Sequence, residues 1–238
     1  MIGRLAPFGS AAWRTAVVLL SAEIAVVSVL RYFTSIAPPP PPVAANAFAN
    51  PFLALHVAAG VTALLVAPLQ FVAKIRTRWP AFHRATGRVY LVACAIGAPT
   101  GFVLAVGTNA GPVAGVGFAI PAVLWPLFTW FGWRAAVERR FAAHRDWMLR
   151  SYAITATAIT LRLMLPASAL LGLDFFVAYP VIAWLAWSTN LTLFEFVIRL
   201  QSASEQTLRR ACAIQRPTSL LSGAGISRSV SNAFTYTV

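Results

Sequence analysis

The sequence predicts an all-α fold, a polytopic bundle of six transmembrane helices, and three observations support this class. First, 59% of the 238 residues are hydrophobic and only 11% are charged, with a mean hydropathy of +0.73, which is typical of integral membrane proteins. Second, six apolar stretches each approach the roughly 20 residues that a helix needs to cross the hydrocarbon core. Third, 17 of the 19 Lys and Arg residues lie in alternate gaps between these stretches or at their flanks, as expected when loops alternate between two sides of a membrane.

The apolar stretches follow one another with short connections. They cover residues 16–36, 51–73, 89–106, 113–133, 147–171 and 175–198. The first stretch resembles a signal peptide, but it is longer than a signal core and contains Glu23 and Arg31, so we interpret it as a retained anchor. The five prolines at 38–42 predict a stiff, extended spacer before the second span.

The distribution of charge predicts the orientation in the membrane. The amino terminus, the second and fourth connections and the tail are basic, whereas the first and third connections are uncharged and the fifth contains only Asp174. Because basic loops stay in the cytoplasm, we expect both termini there. The chain then divides into a basic cytoplasmic amino terminus (1–15), a transmembrane domain (16–199) and a polar, basic, partly disordered tail (200–238).

The net charge of +13 would suit a nucleic-acid-binding protein if it were concentrated in one patch. Here the basic residues are divided among four segments at one membrane face. This pattern favours contact with anionic lipid headgroups on the cytoplasmic side. We therefore predict membrane lipids as partners and no binding to nucleic acid.

Two similar motifs precede the third and fifth spans. Residues 78–84 and 140–145 each combine a basic residue, an aromatic residue and a small residue before a His-Arg pair, and a further Arg and a Tyr follow. The His and Arg residues concerned are His83, Arg84, Arg88, His144, Arg145 and Arg150. The recurrence predicts an internal repeat of helical hairpins, spans two and three matching spans four and five.

Several runs resemble a known family, the bacterial predicted membrane proteins of the domain of unknown function 2306 family (DUF2306). The runs are His-Val-Ala-Ala-Gly at 56–60, Ala-Pro-Leu-Gln-Phe at 67–71, His-Arg-Ala-Thr-Gly-Arg-Val-Tyr at 83–90, His-Arg-Asp-Trp-Met-Leu-Arg-Ser-Tyr-Ala at 144–153, Thr-Leu-Arg at 160–162 and Trp-Ser-Thr-Asn-Leu at 187–191. The resemblance covers roughly residues 52–199 and implies a multi-pass protein of the bacterial cytoplasmic (inner) membrane. It implies no activity, because the family's function is unassigned.

Ionisable residues within the spans are the strongest indication of function, since each costs about 2.5 to 3.5 kcal/mol or more in hydrocarbon unless it is paired or hydrated. Arg162 lies about 18 Å along its helix from Arg150 at 1.5 Å per residue, too far to reach the basic face, and by depth we expect it to pair with Glu23. We expect Glu195 to pair with Arg199 or with an Arg of the His-Arg motifs. Such pairs either fix the register of the helices or form a site in which Arg162 binds an anionic group.

The three histidines raise the possibility of haem b or a metal, because membrane cytochromes hold haem between imidazoles on facing helices. His56 lies near the outer face, whereas His83 and His144 lie near the inner boundary, so only the last two can share a ligand. Interfacial histidines beside arginines are also common headgroup contacts. We therefore expect no cofactor as the simpler case and keep haem b at His83 and His144 as an alternative.

The primary hypothesis is a non-enzymatic membrane protein that binds a small anionic or lipid-like ligand within its bundle. Arg162, Glu23, Asn190 and Glu195 are the candidate ligand-binding residues. Two alternatives stay open, a b-type electron-transfer protein and a small-molecule transporter with a polar cavity. The sequence contains no Ser-His-Asp arrangement, phosphate-binding Gly loop or paired carboxylates for acid–base chemistry, so no catalytic residue is assigned.

Overall fold

The computed structural model describes residues 11–34, 36 and 40–214, and throughout these residues the regular structure is helical. The helices, in chain order, are α1 (Ala11–Phe33), α2 (Pro41–Ala44), α3 (Ala49–Gln70), α4 (Ala73–Arg78), α5 (Pro80–Val106), α6 (Gly111–Val137), α7 (Phe141–Thr155), α8 (Thr157–Leu170) and α9 (Phe175–Ile214). Six segments within the described residues are long and apolar enough to span a membrane: α1, α3, α5, α6, α7 with α8, and the first 30 residues of α9. The predicted six-span fold class is confirmed.

The helices extend beyond the apolar stretches at the ends where the chain is basic. Helix α5 begins at Pro80 rather than residue 89, and α7 begins at Phe141 rather than residue 147. Pro80 occupies the first helical turn, where its missing N–H needs no partner, and long basic side chains in such turns reach the headgroups. Helix α9 continues to Ile214. The predictions for residues 1–10 and 215–238 lie outside the described residues.

The connection between α1 and α3 differs from the extended spacer predicted for residues 38–42. Pro40 is extended, with φ −53° and ψ 135°, but Pro41 and Pro42 open the short helix α2. Proline is compatible with the first positions of a helix because those N–H groups have no intrahelical acceptor. Pro38 and Pro39 lie outside the described residues.

The six spans pack as neighbours in an order that brings distant segments together. Helix α3 lies along α5, α6 contacts α5 and α7, α9 contacts α6, α7 and α8, and α1 contacts α3 and α8. Successive spans run in opposite directions. We call the end that contains residues 71–79 and 138–140 the basic end, and the end that contains residues 107–110 and 171–174 the charge-poor end.

Small residues allow the spans to approach closely in the centre of the bundle. A Cβ atom on Gly97 of α5 would lie 2.9 Å from the Trp125 ring of α6 and 3.2 Å from Ala59 of α3. Such contacts stabilise helices in lipid, where the hydrophobic effect does not drive association. Gly97 therefore sits where α3, α5 and α6 meet.

Most of the surface of each span faces outward and is apolar. Only 28 to 39% of each span's most apolar window is buried, and large side chains such as Leu19, Val92 and Phe196 are exposed. Exposed apolar surface of this extent on every span is typical of a lipid-facing bundle.

Candidate functional site

At the basic end, the charged residues of spans five and six are paired. The Arg150 guanidinium donates two hydrogen bonds to the Glu195 carboxylate, with N–O distances of 2.9 and 3.1 Å, and lies 4.8 Å from the centre of the Trp147 ring. Arg199 approaches the same carboxylate at 3.5 Å. Both pairings expected for Glu195 are therefore present. Glu195 joins α7 to α9, and its charge is balanced within the protein.

A buried hydrogen-bond network, which the sequence analysis did not identify, occupies the core between α5, α6 and α7. The Tyr90 hydroxyl is 2.7 Å from both the Ser151 and Thr155 hydroxyls and accepts a 3.3 Å bond from the Trp125 indole. Thr129 lies 2.7 Å from Ser151. These groups satisfy one another where no water is available. The spacing of Ser151 and Thr155, one helical turn apart, was the available signal for a polar face on α7.

Asn190 lies where α9 packs against α8, near the middle of the span. Its Oδ1 accepts a hydrogen bond of 3.0 Å from Thr160, whereas its buried Nδ2 has no partner among the described residues. The Thr157 hydroxyl and the Trp187 indole N–H are likewise buried without partners there. This group adjoins Ala156, which joins α7 to α8 with helical dihedrals (φ −65°, ψ −12°) and donates its N–H to the Tyr152 carbonyl at 2.8 Å.

Arg162 lies closer to the charge-poor end, where four helices meet. It interacts electrostatically with Arg31 and Tyr32 of α1 and Tyr179 of α9, and with His56 of α3. We call these five residues the arginine cluster. The one hydrogen bond that the structure gives the guanidinium among the described residues is to the Ala158 carbonyl, at 3.2 Å.

The expected pair between Glu23 and Arg162 is wrong. Glu23 is exposed on α1, and among the described residues no carboxylate lies within 4.0 Å of the Arg162 guanidinium. The side chain of Glu23 projects away from the bundle, because Ile24, Ala25 and Ser28 form the buried face of α1. Arg31, two turns further along α1, interacts electrostatically with Arg162 instead, and the buried Nε of Arg31 has no hydrogen-bond partner among the described residues.

His56 is held tightly at the edge of the arginine cluster. Its Nδ1 is 2.8 Å from the Gly97 carbonyl, which can only accept, so Nδ1 carries the proton and Nε2 is left as an acceptor in the neutral ring. The ring occupies the space beside Gly101, where a Cβ would lie 2.8 Å from Cε1. The absence of a side chain at Gly101 therefore creates the place for the imidazole.

His83 and His144 both lie at the basic end of the bundle, near the starts of α5 and α7. Each occupies the fourth position of its helix. The backbone N–H of His83 donates to the Trp79 carbonyl, and the backbone N–H of His144 donates to the Arg140 carbonyl. The two side chains interact electrostatically. Arg84 and Arg88 are exposed nearby, and Arg145 contacts Asp146 at 3.1 Å. The assignment of these three arginines to lipid headgroups stays a prediction.

Within the described residues, no group of three or more His, Cys, Asp and Glu side chains could hold a metal ion. One interior cavity, lined by Gln70, Phe71, Tyr90, Met148 and Tyr152 among others, has room for a single water.

Comparisons with known proteins identify a family but no activity. Neither a curated protein nor a solved structure matches the chain. The family model described as "Predicted membrane protein (DUF2306)" matches residues 53–198, which is more than half of the chain and includes His56, His83, His144, Arg162 and Glu195 but not Arg31. This protein belongs to the DUF2306 family of predicted membrane proteins.

Proposed function

We propose that this protein binds an anionic, lipid-like molecule in the arginine cluster near the charge-poor end of its bundle. The observation that carries the proposal is that Arg31 and Arg162, on different helices, interact electrostatically while neither has a carboxylate partner among the described residues. Two guanidinium groups repel each other, and their repulsion is poorly screened between apolar helices. An anionic group between them would offset this repulsion and provide both guanidinium groups with a counter-charge.

The neighbouring side chains suit a ligand with an oxyanion head and an apolar body. Guanidinium groups bind phosphate and carboxylate oxygens through paired hydrogen bonds, and the hydroxyls of Tyr32 and Tyr179 are available as further donors. The Tyr179 ring packs against Phe175, with ring centres 4.6 Å apart, and against Phe118, 5.1 Å apart. A phospholipid, or another amphiphile with a phosphate or carboxylate, has both parts.

The distribution of basic residues supports a location for this site. Basic connections favour the cytoplasmic side, so the arginine cluster would lie in the opposite leaflet of a bacterial cytoplasmic (inner) membrane. Arginines at the basic end, including Arg84, Arg88 and Arg145, would contact the anionic headgroups of the cytoplasmic leaflet.

Lipid binding to the purified, full-length protein tests the proposal. Native mass spectrometry with phosphatidylglycerol and phosphatidylcholine would measure how strongly each lipid is retained. We expect Arg31→Ala and Arg162→Ala each to weaken retention of phosphatidylglycerol by about 10- to 100-fold, because each removes a charge-assisted hydrogen bond worth about 1.5 to 3 kcal/mol.

Arg134→Ala is the matched control, since it removes an exposed arginine at the opposite end that is already paired with Glu138 at 2.9 Å. Retention should change little in that variant. Equal weakening in all three variants would indicate attraction to net charge alone, and unchanged retention in Arg162→Ala would contradict the site.

A transporter is the second candidate, favoured by buried polar atoms without partners near the middle of the bundle. Polar groups inside a membrane are costly and often mark substrate pathways; here these atoms belong to Thr157, Trp187 and Asn190. Substrate uptake lost in an Arg162→Ala strain and retained in an Arg134→Ala strain would support this candidate. Uptake that is unchanged in both would count against it.

A further inference from the structure

The second polar site of the molecule lies at the basic end, between α5 and α7, which both pack against α6. Tyr90 of α5 and Ser151 of α7 are hydrogen bonded at 2.7 Å, so these faces of the two helices point towards each other. His83 precedes Tyr90 by seven residues, and His144 precedes Ser151 by seven. Since seven residues are about two helical turns, or about 10.5 Å, both imidazoles lie on the facing sides of the two helices and at the same level.

The hydrogen bonds leave each imidazole with an uncommitted nitrogen. Nδ1 of His144 is 2.8 Å from the Gly132 carbonyl, so it donates its proton there and Nε2 carries the free lone pair. Nδ1 of His83 is buried and has no hydrogen-bond partner among the described residues. His144 is thus fixed through one nitrogen and open at the other, the usual state of a metal-binding histidine.

The charges around the pair distinguish between possible occupants. Arg76 and Arg84 act electrostatically on His83, and the described residues offer no third His, Cys, Asp or Glu to complete an ion site. A bare divalent cation would therefore be repelled and under-coordinated. Haem iron needs only two axial imidazoles, and the propionate groups of haem would pair with the arginines.

We propose that His83 and His144 coordinate one transition-metal centre between α5 and α7, with the iron of a haem favoured over a bare ion. The centre would join spans three and five at the basic end. It is independent of the arginine cluster, which lies towards the other end of the bundle.

The test is an absorption spectrum, oxidised and dithionite-reduced, of the full-length protein purified in detergent, with metal analysis of the same sample. Samples purified without cofactor are titrated with haemin and, separately, with copper and zinc ions. We expect a Soret band, reducible α and β bands and stoichiometric iron. In His83→Ala and His144→Gln, binding should weaken by at least about 10-fold, since even outer-shell changes at metal sites cost about 10- to 100-fold.

His56→Ala is the matched control, because it removes a histidine that lies with Arg162 near the other end. It should bind haem or metal as the unmodified protein does. His144→Gln keeps a donor for the Gly132 carbonyl, and a symmetric size-exclusion peak shows that a variant is folded.

Binding of copper or zinc but not haem, lost in the same two variants, would uphold the two-histidine centre and overturn the preference for haem. A protein that takes up neither haem nor metal would overturn the proposal, as would binding that survives in both variants or falls equally in His56→Ala.

Discussion

The two arginines of span five, Arg150 and Arg162, lie towards opposite ends of the bundle and differ in their partners. Arg150 makes two hydrogen bonds to Glu195 and lies over the Trp147 ring. Arg162, twelve residues further on, makes one bond to a carbonyl of its own helix and interacts electrostatically with Arg31. In hydrocarbon an arginine needs a counter-charge. Arg150 has its counter-charge in Glu195, whereas Arg162 has none among the described residues. We therefore interpret Arg150 as a structural residue and Arg162 as a candidate binding residue.

Removing the carboxylate at the basic end should have the largest effect on stability. Side-chain exposures of 21% for Arg150 and 31% for Glu195 place this pair between a surface and a fully buried one. Glu195→Ala leaves Arg150 without its acid, and we expect a loss of about 2 to 3 kcal/mol, less than the 3 to 5 kcal/mol of a fully buried pair. Unfolding in mixed micelles with increasing SDS would measure it.

Glu138→Ala provides the control for that experiment. Hydrogen bonds from Arg140 and from Arg134, the latter at 2.9 Å, lower the pKa of the Glu138 carboxyl, but all three groups are exposed. Exposed pairs contribute little because water and salt screen them. If Glu138→Ala were as destabilising as Glu195→Ala, partial burial would not be what makes the Arg150 pair structural.

The buried network should be the next most sensitive feature. Tyr90→Phe removes the hydroxyl that links Ser151, Thr155 and the Trp125 indole, although Ser151 keeps Thr129 and Thr155 keeps the Ser151 carbonyl as partners, so we expect a loss of about 1 to 2 kcal/mol. Tyr179→Phe is the control, since the structure gives the Tyr179 hydroxyl no hydrogen bond to a described residue. A loss as large in Tyr179→Phe, measured by the same unfolding, would mean that the arginine cluster is internally bonded rather than open to a ligand.

The sequence is sufficient to locate the six spans, but it is less informative about where their helices begin and end. Each span length reflects the thickness of the hydrocarbon, so the six apolar stretches locate the six helices. The basic turns from Pro80 and Phe141 are helical but polar, and hydropathy cannot distinguish them from loops. Repetition of the His-Arg motif at these two points was the better signal.

The candidate site could be predicted only in part, because the sequence gives the depth of a residue in the membrane but not the side of the helix that faces the bundle. Depth alone was enough for Glu195 and Arg150, which lie at the same end. It failed for Glu23 because a helix at the edge of the bundle has an outward face, and one residue's difference turns a side chain by about 100°. The network of Tyr90 joins residues more than 60 positions apart, and no local pattern indicates such a contact.

Replacement by methionine should change the stability of the protein in opposite directions at Arg162 and at Arg150, and this would distinguish the two arginines most clearly. Arg162→Met removes an unpaired charge and keeps an apolar side chain of similar length, so in the absence of ligand we expect stability to rise, by about 1 kcal/mol. Arg150→Met should lower it, because Glu195 would lose its main partner. The same unfolding in SDS measures both variants.

Ligand should reverse that order, because a molecule that binds only the folded state stabilises it in proportion to the logarithm of its concentration over Kd. Adding phosphatidylglycerol should stabilise the unmodified protein and leave Arg162→Met unchanged, so the two stability curves cross as lipid is added. A fall in stability of lipid-free Arg162→Met as large as that of Arg150→Met would mean that Arg162 already has its counter-charge within the protein, and the distinction between the two arginines would fail.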